Sequence, residues 1–495
     1  MAASSYDYDL VVIGSGPGGQ RAAIQAAKVD KKVAVIEKTT VVGGVSVNLG
    51  TIPSKTLREA VLDLSGFRSR AFYGASYRVK DNITIQDLLV RTNQVIAHEI
   101  DIARHQLLRN HIELISAAAS FVDPHTLRLD MIDGSTSRTV SAAHIVIATG
   151  TETTRDKHVP FDARRIFTSD DILHLDQLPR TIAVVGAGVI GCEYASIMAA
   201  LGVRVTLVDA RHQLLSFVDE EVSAELCHHL REARVTLRLG ETVKSLEIVK
   251  TETGDRVRLC LDSGKTIIAE KALYSVGRTG ATSKLNLAGA GIKADDRGRL
   301  PVDEHFRTNV EHICAVGDVI GFPALASTSM EQGRLAACHA FGVKAKSVPE
   351  LFPYGIYSVP EISMVGKTEE ELTKAGIAYE IGKARYKEIA RGQIVGDVTG
   401  LLKLIFHSES RKLLGVHIIG EGASELIHIG QAVLSFGGTV DYFVNTVFNY
   451  PTLAECYKVA AFDGVNRLGM FHEEVLGEIM EDVEEAEADE AEAAD

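Results

Sequence analysis

Two glycine-rich runs carry the clearest chemistry in the chain. The first, GSGPGG, holds Gly14, Gly16 and Gly19 in the G-x-G-x-x-G spacing, and Glu37 follows 18 residues after the last of them. The second, GAGVIG, holds Gly186, Gly188 and Gly191, and Asp209 again follows after 18 residues. In such a run the first glycine permits a tight turn and the second lets a pyrophosphate approach the backbone. The third lets a helix meet a strand, and the N-terminus of that helix favours phosphate charge. The acid can accept hydrogen bonds from an adenosine ribose. Two units of equal internal spacing predict two dinucleotide sites; the alternative is one working site and one structural relic. Asp209 favours an unphosphorylated ribose, because its charge repels a 2′-phosphate. Arg211, two residues on, either pairs with such a phosphate or is a plain solvated charge. A third acid, Asp318, follows Gly317 after the apolar run HICAV. It can bind polyol hydroxyls or simply close a turn.

These residues need elements to position them. The run YDLVVI ends at the first glycine loop, QRAAIQAAK reads as a helix, and KVAVIEK reads as a second strand ending in Glu37 and Lys38. TIAVVGAGVIGCEYA and VRVTLVDA repeat that strand–helix–strand order. Helical stretches are expected at 57–65 and 83–110; Leu88, Val95, Ile96, Ile100 and Leu107 give the longer one an apolar face. Residues 111–140 are β-like. HIVIATG is a buried strand ending at Gly150, where the chain crosses from one nucleotide domain to another. After β-rich sequence to about residue 273, YSVGRTG closes the second domain with Gly277 and Arg278. A helix is expected over 329–341. From 347 the composition shifts to alternating β patterns and two helical runs, an α+β domain of about 120 residues with no new glycine loop. The fold class is therefore α/β: two Rossmann-like dinucleotide-binding domains plus a C-terminal α+β domain.

Composition excludes several other classes. The net charge of −14 comes mostly from the 12 acidic residues between Glu473 and Asp495, a stretch without basic residues and expected to be a disordered tail. The rest is near neutral, so no nucleic-acid footprint is present. The six cysteines include no C-x-x-C pair, and no metal motif is visible. No apolar run reaches the roughly 18 residues of a membrane span, and the first residues lack a basic signal-type region, so a cytoplasmic protein without membrane contact is expected.

The motifs GSGPGG, GGVSVNLGTIPSK, ATG at 148–150, GAGVIGCE, GRTG, AVGD and NYPTLAE together resemble the flavoprotein disulfide reductases of the glutathione reductase and dihydrolipoamide dehydrogenase type. The resemblance covers about residues 8–468. It implies an FAD-binding domain at 1–150 and 279–345, an NAD(P)-binding domain at 151–278, a dimerisation domain at 346–470 and a tail at 471–495. It implies non-covalent FAD held by Gly14, Ser15, Gly16, Gly19, Glu37, Lys38, Gly44, Val45, Ser46, Thr51, Lys55, Gly150, Gly317, Asp318 and Ala326. NAD(H) and NADP(H) fall to Gly186, Gly188, Gly191, Asp209, Arg211 and Gly277. Lys55 is similar to the family lysine beside flavin N5 and Glu193 to its partner, so these two are the catalytic candidates.

The departures from the family pattern are as informative. G-G-x-C-x-N-x-G-C-x-P-x-K carries two cysteines, whereas Ser46 and Thr51 stand there in this chain. In H-P-T-x-x-E the base histidine is replaced by Tyr450, followed by Pro451, Thr452 and Glu455. The dithiol and its base are missing together, which puts a dithiol substrate in doubt and calls for another electron route. The reading is a ping-pong hydride exchange, NADPH + NAD+ = NADP+ + NADH, through the flavin. Two alternatives stand beside it: an NAD(P)H-dependent quinone or dye reductase, and a non-catalytic nucleotide sensor. A homodimer or larger homo-oligomer is implied.

Overall fold

The computed structural model describes residues 6–252, 254–345 and 351–469. The acidic run from Glu473 onward lies outside them. The described residues divide into two compact units, one within 6–65, 78–212 and 234–345, the other within 66–77, 213–233 and 351–469.

The first unit is built on two parallel sheets. In one, Tyr8–Ile13 pairs in parallel with Val33–Glu37 on one side and with the second half of Arg138–Ile147 on the other, and Ile313–Ala315 adds beyond that. Glu113–Phe121 pairs in parallel with Val33–Glu37, then leaves to form an antiparallel layer with Thr126–Met131 and the first half of Arg138–Ile147. The central strands are covered on both faces, which is why they read as continuous apolar runs. Val11, Ile13, Ala34 and Ile36 enter one core cluster, and Leu10, Val12, Val33 and Val35 enter another with Ala22, Ala23 and Ala26 of the Pro17–Ala27 helix. The second parallel sheet has the order Thr236–Leu239, Arg204–Asp209, Thr181–Val185, Lys271–Tyr274, Ile166–Phe167. A three-stranded antiparallel meander, Val243–Thr251, Gly254–Leu261 and Thr266–Ala269, accompanies it. Thr151–Thr153 and Arg278–Gly280 form a two-stranded ribbon at the chain crossings into and out of this sheet.

Local chemistry explains the helix boundaries. The long helix runs Ile85–Leu108 and opens with a reciprocal Thr84–Asp87 capping box. The helix expected from residue 57 starts earlier, as Thr51–Leu64. Pro53 sits in its first turn, where the backbone N–H it lacks has no intrahelical acceptor to lose. The helix expected from residue 329 likewise starts earlier, as Ala326–Ala340.

The second unit is a five-stranded antiparallel sheet, ordered Tyr354–Ile356, Ile362–Gly366, Leu413–Ile419, Leu401–His407, Tyr379–Arg385. The Ala423–Ser435 and Glu455–Arg467 helices contribute Ile427, Tyr457, Ala460 and Ala461 to its core. The Glu220–Glu232 helix belongs to this unit, and Asp219 at its N-cap is joined to the sheet by the fully buried Lys403. No helix among the described residues is long and apolar enough to cross a membrane.

Candidate active site

The two glycine loops adopt the same geometry. Gly14 and Gly186 have φ of +106° and +101°, in the left-handed region that disfavours side chains. A Cβ on Gly19 would lie 2.0 Å from the Gly14 carbonyl oxygen, and one on Gly191 would lie 1.8 Å from that of Gly186. The third glycine of each loop is thus demanded by contact between turn and helix. A Cβ on Gly16 or Gly188 would meet no protein atom within 4 Å, so the second glycine of each loop faces outward from the protein.

The acids at the strand ends hold these loops. The Ser15 hydroxyl and N–H donate to Glu37 Oε2 at 2.6 and 3.1 Å, and Gly43 N–H donates to Ser15 Oγ at 3.0 Å. Ala187 N–H donates to Asp209 Oδ2 at 2.5 Å. Burial alone would raise the Asp209 carboxyl; the Arg211 guanidinium and the Ala187 and Arg211 backbone N–H groups overcome it and hold the group below its ordinary value. Lys38 is exposed just beyond Glu37.

The segment 43–55 folds as two helices, Gly44–Asn48 and Thr51–Leu64. A Cβ on Gly44 would come within 2.9 Å of Gly16 Cα, so the short helix rests on the first glycine loop. This brings Gly14, Ser15, Gly16, Gly19, Glu37, Gly44, Val45 and Ser46 into one region. Thr51 is the first residue of the longer helix, and Lys55 lies one turn further on. Lys55 Nζ donates to both carboxylate oxygens of Glu193 at 2.9 Å and to Ser54 Oγ at 3.3 Å. Glu193 is on the Val189–Ala200 helix that follows the second glycine loop, and its side chain is 4% exposed against 26% for Lys55. Burial pushes the neighbouring Tyr194 phenol well up, so it stays neutral.

Gly150 and Gly317 join the same region. A Cβ on Gly14 would meet Ala148 O at 2.4 Å, and one on Gly18 would meet Ser329 O at 3.0 Å beside Val316. Ala326 opens the helix that carries Ser329. Asp318 accepts from Thr151 Oγ1 at 3.4 Å; burial raises its carboxyl, and Arg278 and that hydroxyl oppose the rise. Gly277 precedes Arg278, has φ of +135°, and lies two residues past Ser275, whose carbonyl meets the Gly186 turn.

The contacts of two residues within the noted GRTG and ATG runs were not foreseeable from spacing. Arg278 donates to Thr151 O at 2.9 Å and Thr151 Oγ1 at 2.8 Å and forms an ion pair with Asp170 at 3.1 Å. It ties the two crossing strands together, and GRTG was the only signal for it. Thr149 Oγ1 is buried without a hydrogen-bond partner next to the Gly14 turn. Nothing but the ATG run marked it.

These observations fit a dinucleotide on each loop. The outward-facing second glycines provide backbone for close phosphate approach, the helix N-termini begin at them, and the Thr149 hydroxyl is a polar atom awaiting a partner. The half-buried Asp318 carboxyl suits a hydroxylated chain. Tyr450 and Glu455 lie in the second unit, where the Tyr450 side chain is exposed. All six cysteines are free thiols, and burial pushes those of Cys314 and Cys456 up to about 12, which leaves them unreactive.

Comparison with known proteins agrees with this geometry. Residues 8–333 match the family model described as pyridine nucleotide-disulphide oxidoreductase, and 352–461 match that family's dimerisation domain. A Mycobacterium bovis protein named soluble pyridine nucleotide transhydrogenase is 55% identical over 93% of this chain and 98% of its own length. A protein of the same name from Colwellia psychrerythraea is 46% identical over 94% of this chain and 99% of its own. Among solved structures, LpdA of Mycobacterium tuberculosis superposes with a TM-score of 0.83 at 27% identity, covering 92% of this chain and 99% of that one. The HOCl-induced flavoprotein disulfide reductase RclA of Escherichia coli gives 0.81 at 26%, with the same coverage. The expected α/β architecture is thereby established: the chain belongs to the pyridine nucleotide-disulphide oxidoreductase family, whose members are flavin-dependent enzymes acting on pyridine nucleotides.

Proposed function

We propose that this chain is an FAD-dependent transhydrogenase that exchanges hydride between NADPH and NAD+ by a ping-pong route. The observation that carries the reading is the sulfur-free frame. Ser46 and Thr51 stand where the reductase pattern has its cysteine pair, within a segment that still rests on the glycine loop and still presents Lys55 to Glu193. The relatives named above as transhydrogenases support it.

A bound flavin would supply the two-electron hydride chemistry between nicotinamides. The chain's own residues bind and orient. Gly14, Ser15, Gly16, Gly19, Glu37, Gly44, Val45, Ser46, Thr51, Gly150, Gly317, Asp318 and Ala326 would hold FAD, with the Thr149 hydroxyl as an added donor. Gly186, Gly188, Gly191, Asp209, Arg211 and Gly277 would hold the nicotinamide dinucleotide. Lys55, held in place by Glu193, supplies a fixed positive charge. No side chain is needed as nucleophile, acid or base, because a hydride moves without a substrate proton; positioning carries the rate.

The same reading includes a homodimer through residues 352–461, with Tyr450 and Glu455 towards the partner, and a reducing, cytoplasmic setting consistent with six unpaired thiols. The test mixes purified protein with NADPH and thio-NAD+ in the absence of quinone. Formation of thio-NADH is expected. Turnover only after quinone is added would assign a reductase instead, and flavin that stays oxidised would assign a non-catalytic binder.

A further inference from the structure

One apolar surface of the second unit lies apart from the stretch around Tyr450. Phe72 and Tyr73, on the short Arg70–Tyr73 helix, are 58% and 69% exposed, and Ile394 and Val398 are 55% and 54% exposed. They form one patch: a Cβ on Gly396, between Ile394 and Val398, would lie 2.7 Å from Phe72 Cε2, so the short helix packs against that turn. Cations surround it. Arg68 bonds Glu421 at 3.1 Å, and Arg70 stacks over Phe67. Lys387 and Arg391, both exposed, come from the turn and helix that lead to Gly396. Acids are few. Residues 67–77 contain none, the Asp397 carboxylate is taken up by the N–H groups of Thr399, Gly400 and Glu421, and Glu388 is exposed. Exposed apolar side chains grouped in this way mark a surface that something covers.

The sequence supplies a matching segment. From Glu473 to Asp495 it holds 12 acidic and no basic residues, and within that run Leu476, Ile479, Met480 and Val483 recur at the spacing of one helical face. An apolar stripe set among acids is the complement of an apolar patch set among cations. The run lies beyond the family match, which ends at residue 461. It also starts close by. Lys383 N–H donates to Asp463 Oδ2 at 2.9 Å, which places the Glu455–Arg467 helix beside the strand that leads into Lys387. Residues 470–495 span up to about 85 Å when extended, more than enough to cross from there. A tether holds such a segment at an effective concentration on the order of millimolar, so weak contacts suffice. A second copy meeting the patch across a two-fold axis would instead set cation against cation.

We infer that residues 470–495 fold back onto the patch made by residues 67–77 and 387–398 of the same chain. The stripe from Leu476 to Val483 covers Phe72, Tyr73, Ile394 and Val398, and the acids around it face Arg68, Arg70, Lys387 and Arg391. The contact shields this surface from other copies.

Hydrogen–deuterium exchange of the flavin-loaded full chain reads both sides of the contact. In the wild type, amides of 475–483 should exchange about tenfold or more slowly than in a free synthetic peptide of residues 470–495. Lys387→Glu with Arg391→Glu should return them to the peptide's rate, and about 0.5 M salt should move them towards it. From the other side, Glu478→Gln, Glu481→Gln and Asp482→Asn together should speed exchange over 390–395 by about threefold or more, with the Leu401–His407 strand unchanged. Adding Glu478→Lys and Glu481→Lys to the Lys387→Glu, Arg391→Glu protein should restore protection. Wild-type amides as fast as the free peptide, patch exchange indifferent to the acidic-run variants, or a charge swap without recovery would each overturn the inference. Sedimentation of the same samples tests the competing occupant: an acidic-run variant that falls from dimer to monomer as the patch opens would assign the patch to a second copy and overturn it too. None of these readouts uses turnover, so their failure leaves the hydride-exchange reading standing.

Discussion

Lys55 Nζ lies 2.9 Å from each carboxylate oxygen of Glu193, across 138 residues of chain. The lysine sits on the Thr51–Leu64 helix that begins within the sulfur-free segment, and the glutamate on the helix that follows the second glycine loop. Removing either partner leaves the other poorly compensated, and the glutamate has the less access to water. Lys55→Met should destabilise the protein by about 2–4 kcal/mol and Glu193→Gln by less, with the double variant milder than the sum by about 1–2 kcal/mol. Denaturant melts of the flavin-loaded proteins measure the cycle. Strict additivity would mean the pair is incidental. In stopped-flow, Glu193→Gln should slow flavin reduction by NADPH about tenfold or more while nucleotide affinity holds.

The hydroxyls of Ser46 and Thr51 need not enter the reaction. The double variant Ser46→Ala, Thr51→Val should retain hydride exchange within about fivefold of wild type, an effect of positioning only. A loss of two orders of magnitude or more would assign one of these hydroxyls a direct role and would argue against a route carried by ring-to-ring hydride transfer.

The third glycines allow the two proposed nucleotide sites to be tested apart. A methyl on Gly191 would press on the Gly186 carbonyl oxygen at 1.8 Å, and one on Gly19 would press on that of Gly14 at 2.0 Å. Gly191→Ala should purify with its flavin and lose pyridine-nucleotide binding; Gly19→Ala should purify with flavin depleted. Flavin absorbance per chain, beside nucleotide titration, reads both. Equal behaviour of the two variants would contradict two separate sites.

Stability of the second unit should depend on pH through the cluster around Lys403. Its ammonium is completely buried and bonded to Asp219 at 2.9 and 3.0 Å and to Glu369, with Glu221 at 3.2 Å. Burial lowers the His417 imidazole, which stays neutral, and the nearby Lys403 charge adds to this. A base whose folded value is depressed costs stability as pH falls below its unfolded value of 6.5, because the unfolded chain then binds the extra proton. Burial would raise Asp219, but the charge and hydrogen bonds of the buried Lys403 ammonium bring it below 3.8, so its contribution is present above that value and fades as pH falls through the folded one. Lys403 is opposed by burial yet raised above 10.5 by Glu369 and Asp219, so its contribution is full below that value and lost only at higher pH. Thermal melts should therefore show a plateau from about pH 7 to 10 and a first decline below about 6.5. His417→Gln should remove that first decline; a decline that persists unchanged would clear His417 of the role.

Assembly can be tested at the stretch before the Glu455–Arg467 helix, where Val447 is 91% exposed and Tyr450 is 72% exposed. Large apolar side chains this open suit a buried interface between copies. Val447→Asp should shift sedimentation from dimer towards monomer, with hydride exchange falling in step. A dimer that survives intact would place the interface elsewhere.

Some of this was written in local sequence. The two dinucleotide units, the acids after them and the sulfur-free segment were legible because each depends on neighbouring residues. A turn with positive φ needs glycine, a helix meeting that turn needs another, and apolar runs of fixed length make the strands that flank them. The α+β character of the C-terminal part was legible from its alternation for the same reason.

The tertiary structure decided what those residues touch. Spacing alone did not show that the helix begins at Thr51, that Arg211 turns one edge onto Asp209, or that Arg278 links the crossing strands to Asp170. The contact between Lys55 and Glu193 had only a family resemblance to suggest it. No motif marked the Thr149 hydroxyl as partnerless, nor the helix beginning at Glu220 as anchored by a buried lysine 184 residues beyond Asp219. Such meetings depend on how sheets and helices pack over long chain separations, where burial and charge select partners that sequence distance does not reveal.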